Sequence, residues 1–195
     1  ESRNSESGMI HTINGWNFTD WTKEWKMGRI DRLESDCDTV TNFLTAEACR
    51  IAAKLFRTEK LGEASFYEQK ASELLAAIEK NSYSAERGLY RDVPGKEWYS
   101  QHCNAWAILS GLSSPERSNS IADKIVSDQS LTQTSLYYRF YLLEAMHKIK
   151  NHRAFDLLLA PWKEMLHYGY TTFPECPGLT GRSDCHAWSA GPVYE

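Results

Sequence analysis

The sequence predicts an all-α fold built from helical hairpins, and three observations lead there. Apolar residues recur at three- and four-residue spacing in six separate segments, the period of a helix with one buried face. The connectors between them are short, which sets consecutive helices antiparallel. Strand signals amount to one Gly- and Pro-punctuated loop, residues 87–95, with room for a short hairpin.

The first segment, residues 36–57, carries Val40, Phe43, Leu44, Ala48, Ile51, Ala52, Leu55 and Phe56 on one face, with Asp36 or Ser35 to cap its start. Lys60-Leu-Gly62 turns the chain into a second, residues 63–80, whose face is Tyr67, Ala71, Leu74, Leu75 and Ile78. After the 87–95 loop a third helix spans residues 100–112 with Trp106 and Leu109 inward. Ser113-Ser-Pro-Glu opens a fourth, with Pro115 in the first turn, where its missing N–H costs nothing. A fifth covers residues 133–149 and a sixth residues 152–167. A seventh is expected to begin near Asp184. Trp106, Trp162 and Trp188 are assigned to the core. With no 34-residue repeat, a TPR-type solenoid is disfavoured.

Composition narrows the function classes. The 195 residues suffice for one domain with a sizeable core. A net charge of −4 without a long basic run argues against nucleic acid and anionic membrane as partners. No stretch approaches the apolar length of a transmembrane helix. Residues 1–7 are polar and are not a signal peptide. They read as an internal starting point with any export signal upstream, so a periplasmic or secreted setting is expected over a cytoplasmic one. The six histidines are scattered without HxxxH or HxH spacing and the five cysteines lack CxxC, so neither metal nor cofactor is expected. Buried free thiols are the default reading, and pairing of Cys176 with Cys185 stays open. GxGxxG, P-loop and GxSxG motifs are missing.

The informative region is the last twenty-five residues. Tyr170-Thr-Thr-Phe-Pro-Glu175 is followed by a Gly-containing connector and then Arg182-Ser-Asp-Cys-His186-Ala-Trp188. Aromatic and ionisable groups crowd in where the helical pattern stops, as in a polar pocket carried by a helical scaffold.

Four segments, in order along the chain, resemble the α-L-rhamnosidases of glycoside hydrolase family 78. They are Gly15-Trp-Asn-Phe-Thr-Asp-Trp21; Gly88-Leu-Tyr-Arg-Asp92 with Ser100-Gln-His-Cys-Asn-Ala-Trp106; Trp162 through Glu175; and Arg182-Ser-Asp-Cys-His-Ala-Trp-Ser-Ala190, the most specific. The resemblance implies an (α/α)6 barrel, six hairpins around a central pocket. The 195 residues would be its C-terminal portion, about three hairpins, with the remainder of the same catalytic domain as partner. It implies inverting hydrolysis of terminal α-L-rhamnosides, with a rhamnose-containing carbohydrate as substrate. Inversion needs two carboxyls about 6.5–9.5 Å apart, one an acid and one a base that activates water. Glu175 matches the base. His186, Asp20 and Trp21 match substrate-contacting positions. No segment matches the family's acid motif, so residues 1–195 alone are expected to be inactive. Pro174 stands where the family often has Trp. The rival readings are an (α/α)6 enzyme acting on another sugar and a sugar-binding scaffold without catalysis. Gln101 and His102 either line the barrel mouth or serve the start of their helix.

Overall fold

The computed structural model describes residues 6–11, 15–30, 37–176 and 185–194. The expected caps Asp36 and Ser35, and the Asp184 start of the last helix, lie outside them. Helix α1 (Thr39–Thr58) and α2 (Ala64–Ser82) form the first hairpin. Two-residue strands β1 (Tyr83–Ser84) and β2 (Leu89–Tyr90) pair antiparallel, Tyr83 opposite Tyr90. Helices α3 (Gln101–Leu109) and α4 (Pro115–Ser127) make the second hairpin. The third is α5 (Arg139–Lys148) and α6 (His152–Leu158), continued by α7 (Ala160–His167). A single turn, α8 (Gly191–Tyr194), closes the described chain.

Helix starts follow local chemistry. At the starts of α1, α3, α4 and α6 a side-chain oxygen accepts from a backbone N–H that has no helical partner. Asp38 serves Thr41 at 2.6 Å, Ser100 serves Cys103 at 3.1 Å, Ser114 serves Arg117 at 3.3 Å and Asn151 serves Ala154 at 3.0 Å. Asp38 therefore starts α1. The sixth expected helix is two: the chain breaks at Leu159, two residues before Pro161, whose ring nitrogen cannot donate. The fifth starts at Arg139 rather than 133, because Thr132 and Thr134 bond instead to the start of α3.

The helices form two layers. Helix α3 packs on α1 and α5, and α5 on α8; outside them α2 covers α1 and α4 meets α6. The middle inner helix is buried from Gln101 to Ile108, as expected of a helix enclosed on all sides. Val40, Phe43, Tyr90, Ile108, Ile121, Leu142 and Met146 fill the space between layers. One expectation fails on α1. Val40 and Phe43 are buried, but Leu44, Ile51 and Leu55 are exposed. Helices α2 and α3 cover two sides of α1, and these three residues form an apolar stripe along the side facing neither.

Each inner helix is followed by an outer helix that returns, so α1, α3 and α5 run parallel and their N-termini share one end. The loops there are stitched together. Thr39 N–H donates to Asp92 O (2.8 Å), Ser100 Oγ to Asp92 Oδ1 (2.5 Å) and Gln101 N–H to Thr132 O (3.0 Å). This end is called the mouth below.

Candidate functional site

Two loop systems meet at the mouth. The first is the loop of residues 15–28. Phe18 and Trp21 rings lie 5.1 Å apart, and Trp16 lies 5.3 Å from Phe18 and 6.0 Å from Trp21. All three are exposed, Trp21 at 50%. Trp16 Nε1 donates to Met27 O at 2.7 Å, and Thr19 N–H to Gly28 O at 2.9 Å, closing the loop on itself. Gly28 has φ +69°, and a β-carbon there would come within 2.5 Å of the Phe18 ring, so the aromatic packing requires glycine.

Asp20 faces the other way. It is 1% exposed and accepts three hydrogen bonds: from Ser135 N–H (2.9 Å), Ser135 Oγ (2.6 Å) and His102 Nε2 (2.7 Å). His102 is itself fully buried, its ring 4.4 Å from both Trp25 and Tyr138. Burial pushes the imidazole below its ordinary range, and the charges of Asp20 and Glu24 only partly offset that. The ring is thus neutral at neutral pH, and its one proton sits on Nε2, since a carboxylate can only accept. Nδ1 is left buried and without a hydrogen bond. The resemblance placed Asp20 on a sugar; the geometry turns it inward, to α3 and to the loop before α5. The Asp20–His102–Ser135 arrangement had no motif to announce it in the sequence, because 82 and 115 residues separate its members.

The second system is residues 170–176 with 185–190. His186 N–H donates to Phe173 O at 2.6 Å, which brings the loop carrying Glu175 against the segment carrying His186. Glu175 is half-buried and follows a buried Pro174. Trp162 anchors the system from α7, its Nε1 donating to Ser189 O at 2.8 Å. The His186 ring meets Trp188 edge-on at 5.9 Å, and Trp188 lies 5.6 Å from Tyr137. Trp106 and Trp162 are in the core as expected, but Trp188 is 69% exposed, because it lies at the mouth and not between the layers. A cavity of about 190 Å³ between α7, the 170–173 loop and Val193 is lined by Trp162, Met165, Tyr170 and Phe173.

The structure thus brings Glu175 and His186 into adjoining segments. Trp21 makes its ring contacts within its own loop, and the two systems are linked by Asp20 to Ser135, two residues before Tyr137, and Tyr137 to Trp188. Among the described residues no cluster of three or more His, Cys, Asp or Glu is placed to hold a metal ion. Cys176 and Cys185 are exposed; the expectation of burial holds for Cys37 and Cys103.

Among solved structures, a GH78 family rhamnosidase of Bacillus sp. GL1 superimposes with a TM-score of 0.82 over 98% of this chain, at 26% identity. The chain is a segment of the GH78 rhamnosidase fold. A rhamnosidase from Klebsiella oxytoca, solved with rhamnose bound, shares the fold at a TM-score of 0.80 and 20% identity, again over 98% of the chain. The chain spans 21% and 38% of the lengths of these two proteins. Its hairpins are therefore part of the helical barrel region of the GH78 fold, and its relationship is to glycosidases. No protein-family model matches the chain, and no curated protein matches it.

Proposed function

We propose that the chain is the C-terminal portion of the catalytic domain of a glycoside hydrolase that removes terminal α-L-rhamnose with inversion. The observation that carries this reading is the 2.6 Å bond from His186 N–H to Phe173 O, because it joins the two motif segments that resemble family 78 most closely. Glu175 is the general base: it takes a proton from the water that attacks the anomeric carbon. His186 donates to or accepts from a sugar hydroxyl, and Trp21 offers a ring face to sugar C–H bonds. The acid comes from outside these residues, in the remainder of the same domain. The apolar stripe of Leu44, Ile51 and Leu55 supports such a neighbour, since contiguous exposed apolar surface marks contact sites. No metal or cofactor enters the scheme.

The experiment is Glu175→Gln in the intact protein, assayed on an activated α-L-rhamnoside. Glutamine keeps the shape and cannot take the proton, so kcat should fall and KM hold. Normal kcat would remove Glu175 as base. Turnover of other glycosides in a substrate panel, with none of rhamnosides, would move the reading to another sugar.

A further inference from the structure

Asp20 is a buried carboxylate held by a neutral histidine and one serine, at the root of a loop whose aromatic rings are exposed. The loop is closed by its own bonds between residues 16 and 28, so those bonds fix its shape and not its placement on the barrel. Placement comes from Asp20 and from Trp25. Asp20 reaches the first turn of α3 and the approach to α5, while Trp25 packs on the same imidazole, which also meets Tyr138. His102 is the shared contact. It is fully buried against two rings, so packing limits the movement of its Nε2–H and Asp20 comes to it. Trp21 is the next residue, and its side chain leaves the chain on the solvent side.

We propose that His102 is a positioning residue: through Asp20 it sets where the Trp21 ring stands at the mouth. The inference rests on reading the mouth as a glycoside site, and it deepens that reading by assigning Asp20 to loop placement and not to the sugar. Nδ1 is buried and makes no hydrogen bond, so the Nε2–H to Asp20 is the polar tie of this ring. The role needs one donor at the Nε2 position, beside Trp25 and Tyr138.

The test uses the intact protein with four substitutions. His102→Phe keeps the packing and removes the donor. His102→Gln keeps a donor at similar reach. Ser135→Ala deletes one of the bonds to Asp20 and leaves the histidine in place, so it reads the same proposal if the Phe variant folds poorly. Asp20→Asn changes the acceptor itself. Kinetics on an activated α-L-rhamnoside and near-ultraviolet circular dichroism are recorded for each. The dichroism reports the coupling of Trp16 and Trp21, which does not depend on turnover. His102→Phe should raise KM about tenfold, the size of one lost hydrogen bond to a charged group, with kcat nearly unchanged, and should alter the dichroism. Asp20→Asn should follow it, Ser135→Ala should do the same to a smaller extent, and His102→Gln should restore both readouts. An unchanged KM and an unchanged spectrum in His102→Phe would overturn the proposal. So would loss of binding in Asp20→Asn with His102→Phe intact, which would put Asp20 on the sugar. If the parent protein cleaves no rhamnoside, the glycosidase reading fails, and the dichroism alone decides for or against His102.

Discussion

The two sides of the mouth are built differently. On the Asp20 side the carboxylate is sealed and takes three hydrogen bonds, while His102 Nδ1 and Thr22 Oγ1 are buried without one. On the Glu175 side the segments are joined by a backbone bond and by Trp162, and the side chains of Glu175 and His186 are left half-exposed. A sealed carboxylate is good at holding a loop, since buried charge is costly to unpair. A half-exposed one can meet water and exchange a proton. On the proposed reading the same residue chemistry serves placement on one side and reactivity on the other, according to burial.

The largest effect that would test this contrast is Glu175→Gln. A lost general base lowers kcat by about 10²–10⁴, while thermal unfolding should barely move. The reverse pattern, a folding defect with turnover preserved, would erase the distinction between the sides. Next comes Asp20→Ala, which leaves Ser135 N–H and the buried His102 without their acceptor. It should cost about 2–4 kcal/mol in urea denaturation of the intact protein. Trp21→Ala removes a half-exposed ring, so stability should change by less than about 1 kcal/mol while KM rises; a large stability loss would mean that the ring is structural. The smallest effect is a pH dependence. The His102 pKa is lower in the fold than in the unfolded chain, so the unfolded state binds more protons. Its contribution is complete above about pH 6.5 and is lost as pH falls from there through the folded value, with a slope of at most about 1.4 kcal/mol per pH unit. Denaturation midpoints of the parent and of His102→Gln should diverge in that acidic window and run parallel above it.

How much could be read in advance depended on the range of the physics involved. The start of helix α4 was legible from Ser113-Ser-Pro-Glu with Pro115 in the first turn, because such start signals act within one turn. The break at Leu159 was equally local, and Pro161 was the available signal. Periodicity showed that α1 has apolar residues, but not that they occupy two faces, since Leu44 and Ile51 look inward until α2 and α3 are in place. The delayed start of α5 needed the bonds from Thr132 and Thr134 to α3, which are tertiary. Glu175, His186 and Trp21 were put forward through resemblance alone, and they sit at or near the mouth. The tie from Asp20 to His102 and Ser135 depends on which loops the topology brings to one end, and no local pattern encodes that.

The parallel inner helices carry a further consequence. Three helix N-termini point at the mouth, each equivalent to about half a positive charge. Three buried acids gather at the same end: Asp20, Asp38 and Asp92. Asp38 caps α1, Asp92 accepts from the residue that caps α3, and Asp20 holds the approach to α5. Peptide dipoles thus oppose the negative charge of this end from within the scaffold. Such compensation lies inside the protein, where dissolved ions screen weakly. Surface pairs such as Arg57 with Glu68, or Lys163 with Asp156, are open to that screening. Raising ionic strength should loosen the outer layer's ion pairs first and leave the mouth as it is.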